Sequence, residues 1–194
     1  MILEGVVTTV AADGAVNVAP MGPHVEGETF DRFLLKPFRT AQTYRNLKAH
    51  GEGVLHVTDD VLLLARAAVG ALPSPPPLFP AERVRGWVLR DACRWFEFRV
   101  TRCDDAAERV TLEAEVVHAG RLRDFFGFNR AKHAVVEAAI LATRIALLPL
   151  DEIDAEFRKL AVIVGKTGGP AERQAFEFLQ AHVARTSAER EGQP

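Results

Sequence analysis

The chain is organised around residues 33–59, which read FLLKPFRTAQTYRNLKAHGEGVLHVTD. The apolar run at 33–36 predicts a short strand that stops at Pro37, because proline cannot donate to a strand ladder. Residues 41–50 then predict a helix of about three turns, and the alternation of residues 53–58 predicts another strand. The stretch therefore reads as strand, helix, strand, with a polar hinge before the helix.

The hinge carries an unusual set of charges. Thr40 is the expected N-cap, and the first helical turn after it contains no acid, although acids are favoured beside the free amides of a helix start. Lys36 and Arg39 stand just before that turn, and Thr43 adds a second hydroxyl. Free amides, hydroxyls and cations together predict an anion site, most naturally for phosphate. The alternative is an ordinary threonine N-cap beside two solvated basic residues.

Composition limits the class of protein. The chain has 194 residues, 48% of them hydrophobic and 26% charged, as in a globular protein with a sizeable core. Its net charge of −2 argues against a general nucleic-acid binder. No apolar run reaches the roughly 18–20 residues of a membrane span, and no signal peptide is predicted. The only cysteines, Cys93 and Cys103, match no metal spacing, so we expect buried or free thiols in a reducing, cytoplasmic setting.

Alternating patterns predict further strands on both sides of the central stretch. Residues 2–10 and 15–20 should form a hairpin around the Asp13-Gly14 turn, and residues 20–23 (PMGP) should leave the ladder as an edge or loop. The segments 94–101 and 108–117 add two strands, whereas the proline-rich 72–81 predicts a surface loop. About six strands, mostly antiparallel, favour a small barrel.

The C-terminal third changes to a helical period. A helix over residues 130–148 is apolar nearly all round, so it should be buried, within the chain or at a subunit interface. Two more helices should follow, the last beginning at Pro170 and ending in a polar tail. The predicted organisation is an α+β protein with a barrel domain over 1–127, a helical subdomain over 128–187 and a flexible tail over 188–194.

Several catalytic classes are disfavoured. The two serines, Ser74 and Ser187, lie outside any G-x-S-x-G motif, which argues against a serine hydrolase. His133 and Glu137 are one helical turn apart, but no third metal ligand is placed near them, so a salt-linked helix face is the preferred interpretation. No metal site and no catalytic constellation are predicted.

A family resemblance adds to this interpretation. The strand, basic hinge, threonine-containing helix and strand are similar to the flavin mononucleotide (FMN)-binding split barrel of flavin reductases and pyridoxamine-phosphate oxidases. The segments NVAPMG (17–22), KPFRTAQTYRNL (36–47) and FNRAKHAVVEAAILATR (128–144) resemble the domain of unknown function 447 family. That resemblance implies an antiparallel split β-barrel with a helical C-terminal part and FMN as cofactor.

The resemblance also implies roles for particular residues. The phosphate would be held at the hinge, and the backbone around Asn17–Met21 would meet the polar edge of the isoalloxazine ring. Asn46 and His56 are candidates for ribityl or ring contacts, with a helix surface residue and a satisfied strand residue as the alternatives. Asn129 and Arg130 could complete the site from the other subunit of a homodimer, or could be a simple N-cap and a solvated arginine. The expected cofactor-binding set is Asn17, Pro20, Met21, Lys36, Phe38, Arg39, Thr40, Thr43, Asn46, His56, Asn129 and Arg130.

The favoured functional hypothesis is an FMN-dependent oxidoreductase that passes hydride from a nicotinamide cofactor, NAD(P)H, to a small organic substrate or free flavin. The reaction needs no side-chain acid or base for hydride transfer, which fits the lack of a catalytic constellation. The alternative is a non-catalytic flavin-binding or sensing protein whose helical part docks a partner. A third hypothesis, with no cofactor and a phosphate-bearing substrate or RNA at the hinge, is disfavoured by the net charge.

Overall fold

The computed structural model describes residues 1–27 and 29–191, and within them the chain forms nine strands and five helices. In chain order they are β1 (Gly5–Val10), β2 (Val16–Met21), β3 (His24–Val25), β4 (Arg32–Leu35), α1 (Gln42–His50), β5 (Glu52–Val57), α2 (Val61–Ala68), β6 (Leu78–Pro80), β7 (Trp87–Leu89), β8 (Arg94–Asp104), β9 (Thr111–Arg121), α3 (Arg130–Ala142), α4 (Leu150–Thr167) and α5 (Pro170–Glu191).

Seven strands form one antiparallel sheet in the order β2-β1-β5-β8-β9-β4-β3. The sheet curls into a half-barrel, and the first residues of the chain link its two ends. Ile2, shortly before β1, forms an isolated bridge with His24 of β3, and the Leu3 amide donates to the Pro23 carbonyl at 3.2 Å. The predicted α+β fold with an antiparallel split barrel is confirmed.

The chain groups into two compact units, Met1–Asp59 with Ser74–Phe125, and Asp60–Pro73 with Phe126–Pro194. The first contains the half-barrel and α1, and its core is built from inward-facing aliphatic and aromatic residues such as Leu35, Leu55 and Phe98. In the second unit, α2 packs with the C-terminal helices around a core that includes Ala138, Ile153 and Leu179. Fully burying a leucine, isoleucine or phenylalanine side chain stabilises a fold by about 1.5–3 kcal/mol.

A hairpin in the proline-rich segment is absent from the sequence prediction. β6 pairs with β7, and this hairpin covers the outer face of the sheet, where Val88 packs against Val54 and Trp95. Residues 95–98 of β8 are consequently all buried, although their alternation predicts one exposed face. Prolines at the edge of a two-stranded sheet cost few hydrogen bonds, so their number did not exclude a strand.

Three element boundaries also differ from the sequence prediction. Pro20 and Met21 stay in the ladder, paired with Val6 and Gly5, and β2 tolerates the proline because it is an edge strand. The helix expected over residues 130–148 ends at Ala142, and turns connect it to α4. α5 continues to Glu191 through most of the predicted tail, whose residues 192–194 lie outside the described part.

None of the helices in the described part of the chain is long and apolar enough to cross a bilayer. Each of the three C-terminal helices carries charged residues along an exposed face. Their apolar faces are used in the core of the second unit.

Candidate functional site

The turn between β4 and α1 is held by backbone hydrogen bonds. The Ala41 amide donates to the Phe38 carbonyl at 3.0 Å, and the Arg39 amide donates to the Glu108 carbonyl at 3.1 Å. The predicted N-cap at Thr40 is wrong by one residue, because Ala41 has the extended backbone of the cap and the helix begins at Gln42. Ala41, which the sequence pattern assigns to the helix, belongs instead to the tight turn at residues 38–41.

The start of α1 is open. Alanine at the N-cap supplies no side-chain acceptor, and the first turn contains no acid. The backbone amides of Gln42, Thr43 and Tyr44 have no hydrogen-bond partner among residues 1–27 and 29–191. A nine-residue helix with uncapped amides carries a partial positive charge at this end, which favours an anion.

Cationic side chains surround this turn without an ion-pair partner in the described part of the chain. Lys36 is half-buried, whereas Arg39 and Thr40 are exposed. Arg109, from the segment before β9, stands over the ring of Phe38 with its guanidinium carbon 4.5 Å from the ring centroid. Phe38 is 46% exposed, so it adds an accessible aromatic surface to the same turn.

The pKa of His24 is lowered by burial and by the positive charges near the turn before α1. Burial lowers its pKa first, and the neighbouring Lys36 and Arg109 lower it further. His24 reaches this position because it pairs with Leu34 of β4, two residues before Lys36. A proton on His24 would add one more cation to an uncompensated group, so the imidazole stays neutral near pH 7.

A buried polar network joins α1 to the β1–β2 hairpin. The Thr9 hydroxyl accepts from the side-chain amides of Asn17 (3.2 Å) and Asn46 (2.9 Å), and the Asn17 amide also donates to the Thr43 hydroxyl at 3.0 Å. Gln42 donates to the Asn46 carbonyl oxygen at 2.7 Å. Thr9, Thr43 and Asn46 are almost fully buried, so the network fixes the first turn of α1 against the sheet.

The edge strand β2 offers free backbone groups. The Ala11 amide donates to the Ala15 carbonyl at 2.9 Å, which sets the alternation of the hairpin ladder. Asn17, Ala19 and Met21 therefore bond to β1, and the backbone groups of Val18 and Pro20 point away from the sheet. Since β2 is the last strand of its sheet, these groups are open to a ligand.

His56 is placed differently from the site residues above. Its side chain is fully buried, its Nδ1 donates to the Val6 carbonyl at 3.0 Å, and its Nε2 accepts from the Leu89 amide at 3.1 Å. The two bonds fix the tautomer and use both ring nitrogens. His56 thus ties β1, β5 and β7 together, in agreement with a satisfied strand residue, and we leave it out of the proposed cofactor contacts.

The buried imidazole should make stability depend on pH. Burial lowers the pKa of His56 from 6.5 to about 4, so below pH 6.5 the unfolded chain binds a proton that the folded chain rejects until about pH 4. The free energy of unfolding should consequently fall by about 2 kcal/mol between pH 7.5 and pH 5 through this residue. His56→Gln keeps one hydrogen-bond donor and one acceptor but does not titrate. Urea unfolding of this variant and of the wild type gives the pH dependence of the free energy of unfolding, and the difference between the two slopes is the contribution of His56. Equal slopes would refute the prediction.

Asn129 and Arg130 belong to the second unit. Asn129 is the N-cap of α3: its side-chain oxygen accepts from the amides of Ala131 (2.8 Å) and Lys132 (3.2 Å), and its Nδ2 donates to the Thr167 carbonyl at 3.1 Å. Arg130 is exposed and has no ion-pair partner in the described residues. The structure therefore gives Asn129 a capping role and leaves the Arg130 guanidinium available.

The sequence prediction missed three residues of this region. Thr9 is the centre of the buried network. The sequence feature that could have indicated this is a polar residue within the apolar run of β1. Arg109 and His24 reach the turn only through the pairing of β3, β4 and β9, which no local pattern predicts. Of the residues predicted at the hinge, Phe38, Arg39 and Thr40 are exposed and Lys36 is half-buried, whereas Thr43 is buried and its hydroxyl accepts from Asn17.

A curled antiparallel half-barrel followed by C-terminal helices defines a split β-barrel fold. Family models identify it further. Residues 3–123 match the "Protein of unknown function (DUF447) N-terminal domain" model, and residues 129–181 match the accompanying "Protein of unknown function (DUF447)" model. The chain belongs to the DUF447 family.

Solved structures with this fold include the FMN-bound protein MM1853 of Methanosarcina mazei, also of the DUF447 family. The two sequences are 24% identical, and the structural alignment covers 93% of this chain and 94% of the other chain with a TM-score of 0.80. Two other structures share the fold over a smaller part of the chain. The 2-nitrobenzoate 2-nitroreductase NbaA of Pseudomonas fluorescens is 17% identical, with 61% of this chain and 64% of that chain covered and a TM-score of 0.52. Nitrilotriacetate monooxygenase component B of Bacillus cereus is 19% identical, with 61% of this chain and 68% of that chain covered and a TM-score of 0.51. No curated protein matches the sequence.

Proposed function

We propose that this protein binds FMN, with the phosphate at the start of α1. The observation that carries the proposal is the uncapped first turn of α1, whose three amides lack partners in the described chain. Lys36, Arg39 and Arg109, which lie near this turn, have no ion-pair partner among the described residues. A phosphate dianion would satisfy both deficits at once. The FMN-bound member of the same family supports the identity of the ligand.

The remaining part of the cofactor fits the edge strand. The outward backbone groups of Val18 and Pro20 would bond the polar edge of the ring, and the half-buried Met21 would give it an apolar contact. Asn17 and Asn46 would contribute indirectly and not by contact with the cofactor. Both donate to the Thr9 hydroxyl and so hold the first turn of α1 in place. Arg130 remains a candidate for a contact made across a homodimer, which we also propose.

We further propose an oxidoreductase that takes hydride from NAD(P)H and passes it to a small organic substrate or free flavin. Bound FMN would supply the two-electron redox chemistry. The chain would bind and orient the ring, and no side chain needs to exchange a proton during hydride transfer. The described residues contain no cluster of three metal ligands that would suggest a different cofactor. Two free cysteines, one of them exposed, accord with a reducing cytoplasmic location.

Comparison of FMN with riboflavin tests the binding proposal, because the two differ only in the phosphate. Titration followed by flavin fluorescence should give FMN a dissociation constant at least about a hundredfold lower, as expected when a dianion meets several cations and free amides. Lys36→Gln should weaken FMN about tenfold or more and leave riboflavin unchanged. The control is Lys166→Gln, an exposed lysine on α4. Equal affinity for the two flavins would rule out a phosphate site.

Anaerobic mixing of the FMN-loaded protein with NADH and with NADPH separates the enzyme from the alternative. If the protein is an oxidoreductase, the nicotinamide nucleotide should reduce the bound flavin and bleach its absorbance within seconds. The absorbance should return when an electron acceptor is added. A bound flavin that neither nucleotide reduces over many minutes would favour a non-catalytic flavin-binding protein. In that case FMN binding would stand and the reaction would be withdrawn.

A further inference from the structure

A second cationic site lies at the end of the half-barrel where β5 and β9 finish and β8 begins. A cavity of about 580 Å³ opens there, within the range of small-molecule sites. Three arginines, Arg94, Arg121 and Arg123, line it together with the apolar residues Val57 and Phe125. Val57 pairs with Arg94 across β5 and β8, and none of the residues that line the cavity belongs to the α1 turn.

The placement of two of these arginines is costly without a ligand. Arg94 and Arg121 are direct partners across the antiparallel pair of β8 and β9. Side chains at such positions lie on the same face with Cβ atoms about 4.5–5.5 Å apart, and like charges there destabilise the pair. Both arginines also line the same cavity.

The described contacts neutralise this charge only in part. Arg121 pairs with Asp124, and Arg123 donates to Asp59 at 2.5 Å and to the Asp91 carbonyl at 2.9 and 3.1 Å. Arg94 has only the face of Phe96, 5.2 Å from its guanidinium carbon, and no carboxylate within ion-pair distance in the part of the chain that the structure describes. Arg123 is thus fixed by its bonds, while Arg94 can turn toward a ligand.

The other walls of the cavity suggest the rest of the ligand. Cys93 contributes a buried thiol, and burial raises its pKa, so it adds no negative charge. Phe125 is 46% exposed and offers a flat apolar surface beside the guanidinium groups. Arginine side chains bind phosphate and carboxylate groups through paired hydrogen bonds.

We propose that this cavity binds an organic anion, a molecule with a phosphate or carboxylate group held by Arg94, Arg121 and Arg123 and an apolar part against Phe125. The site is separate from the α1 turn and its existence does not depend on flavin. In an oxidoreductase it would be the place for the second reactant.

Calorimetric titration of the 194-residue protein without flavin tests the proposal with three probes that share a benzene ring: phenyl phosphate, benzoate and the neutral benzyl alcohol. At least one anion should bind at millimolar concentration or below, and about tenfold or more tighter than the alcohol. The anion that binds better identifies the class of ligand.

Variants locate the binding. Arg94→Gln and Arg121→Gln should each weaken the anion about ten- to a hundredfold. Arg158→Gln, an exposed arginine on α4, should leave this binding unchanged. Both cavity variants replace exposed side chains, and circular dichroism verifies their fold. Failure of both anions to bind, or binding that neither cavity variant weakens, would overturn the proposal, and the FMN titrations would be unaffected.

Discussion

Ala41→Asp is expected to weaken FMN binding strongly while making the flavin-free protein more stable. Ala41 is the N-cap of α1 and lacks a side-chain acceptor. Aspartate at this position would bond the free amides and complement the helix dipole, which raises helix stability by about 0.5–2 kcal/mol. The same carboxylate would stand where the phosphate belongs, and charge repulsion with desolvation should weaken FMN by about a hundredfold or more.

Ala41→Asn is the matched control because it caps the helix with the same shape and no charge. It should stabilise the flavin-free protein about as much as the aspartate and weaken FMN clearly less. Urea unfolding and fluorescence titration measure the two effects on the same samples. If both variants bind FMN like the wild type, the phosphate does not lie at the start of α1.

Glu97→Ala is expected to produce the largest loss of stability in the half-barrel. Glu97 is fully buried and accepts four hydrogen bonds, from the amides of Glu82 (2.9 Å), Arg83 (2.6 Å) and Val84 (3.2 Å) and from the indole of Trp95 (3.3 Å). Removing the carboxylate would leave these donors without their acceptor. The expected cost is about 3–5 kcal/mol in the free energy of unfolding.

The control for this variant is Glu115→Gln. Glu115 is half-exposed and faces Arg32 at 3.9 Å, so its loss should cost less than about 1 kcal/mol. Thermal unfolding followed by near-ultraviolet circular dichroism compares the two. A Glu97→Ala midpoint within about 2 °C of the wild type would show that the carboxylate does not hold the 82–84 turn.

The local parts of this fold were accessible from the sequence because their signals are short-range. Asp13-Gly14 gives the hairpin turn, and Pro37 follows the end of β4. Gly51 ends α1 with a φ of 68° and an amide that donates to the Leu47 carbonyl at 2.8 Å. The residues that we propose for the anion were likewise suggested by the sequence, because Lys36 to Thr43 lie within eight positions of each other. These inferences needed no knowledge of pairing between distant strands.

The parts that were missed depend on tertiary contacts. The covering hairpin of β6 and β7 is hidden in a proline-rich segment, and it alone explains why Trp95 and Glu97 are buried on the outer face. The pairing of Arg94 with Arg121 joins residues 27 positions apart through a ladder with two register shifts. His56 looked like a ligand contact because its two partners, Val6 and Leu89, lie far away in sequence.

Gel filtration after incubation with FMN, followed by an absorbance scan, is the most direct measurement of the central claim. If the α1 turn is a preformed phosphate site, the protein peak should retain a band at about 450 nm, close to one flavin per chain. The band should be lost in Ala41→Asp. A colourless protein peak from the wild type, after incubation at micromolar FMN, would contradict the flavoprotein assignment.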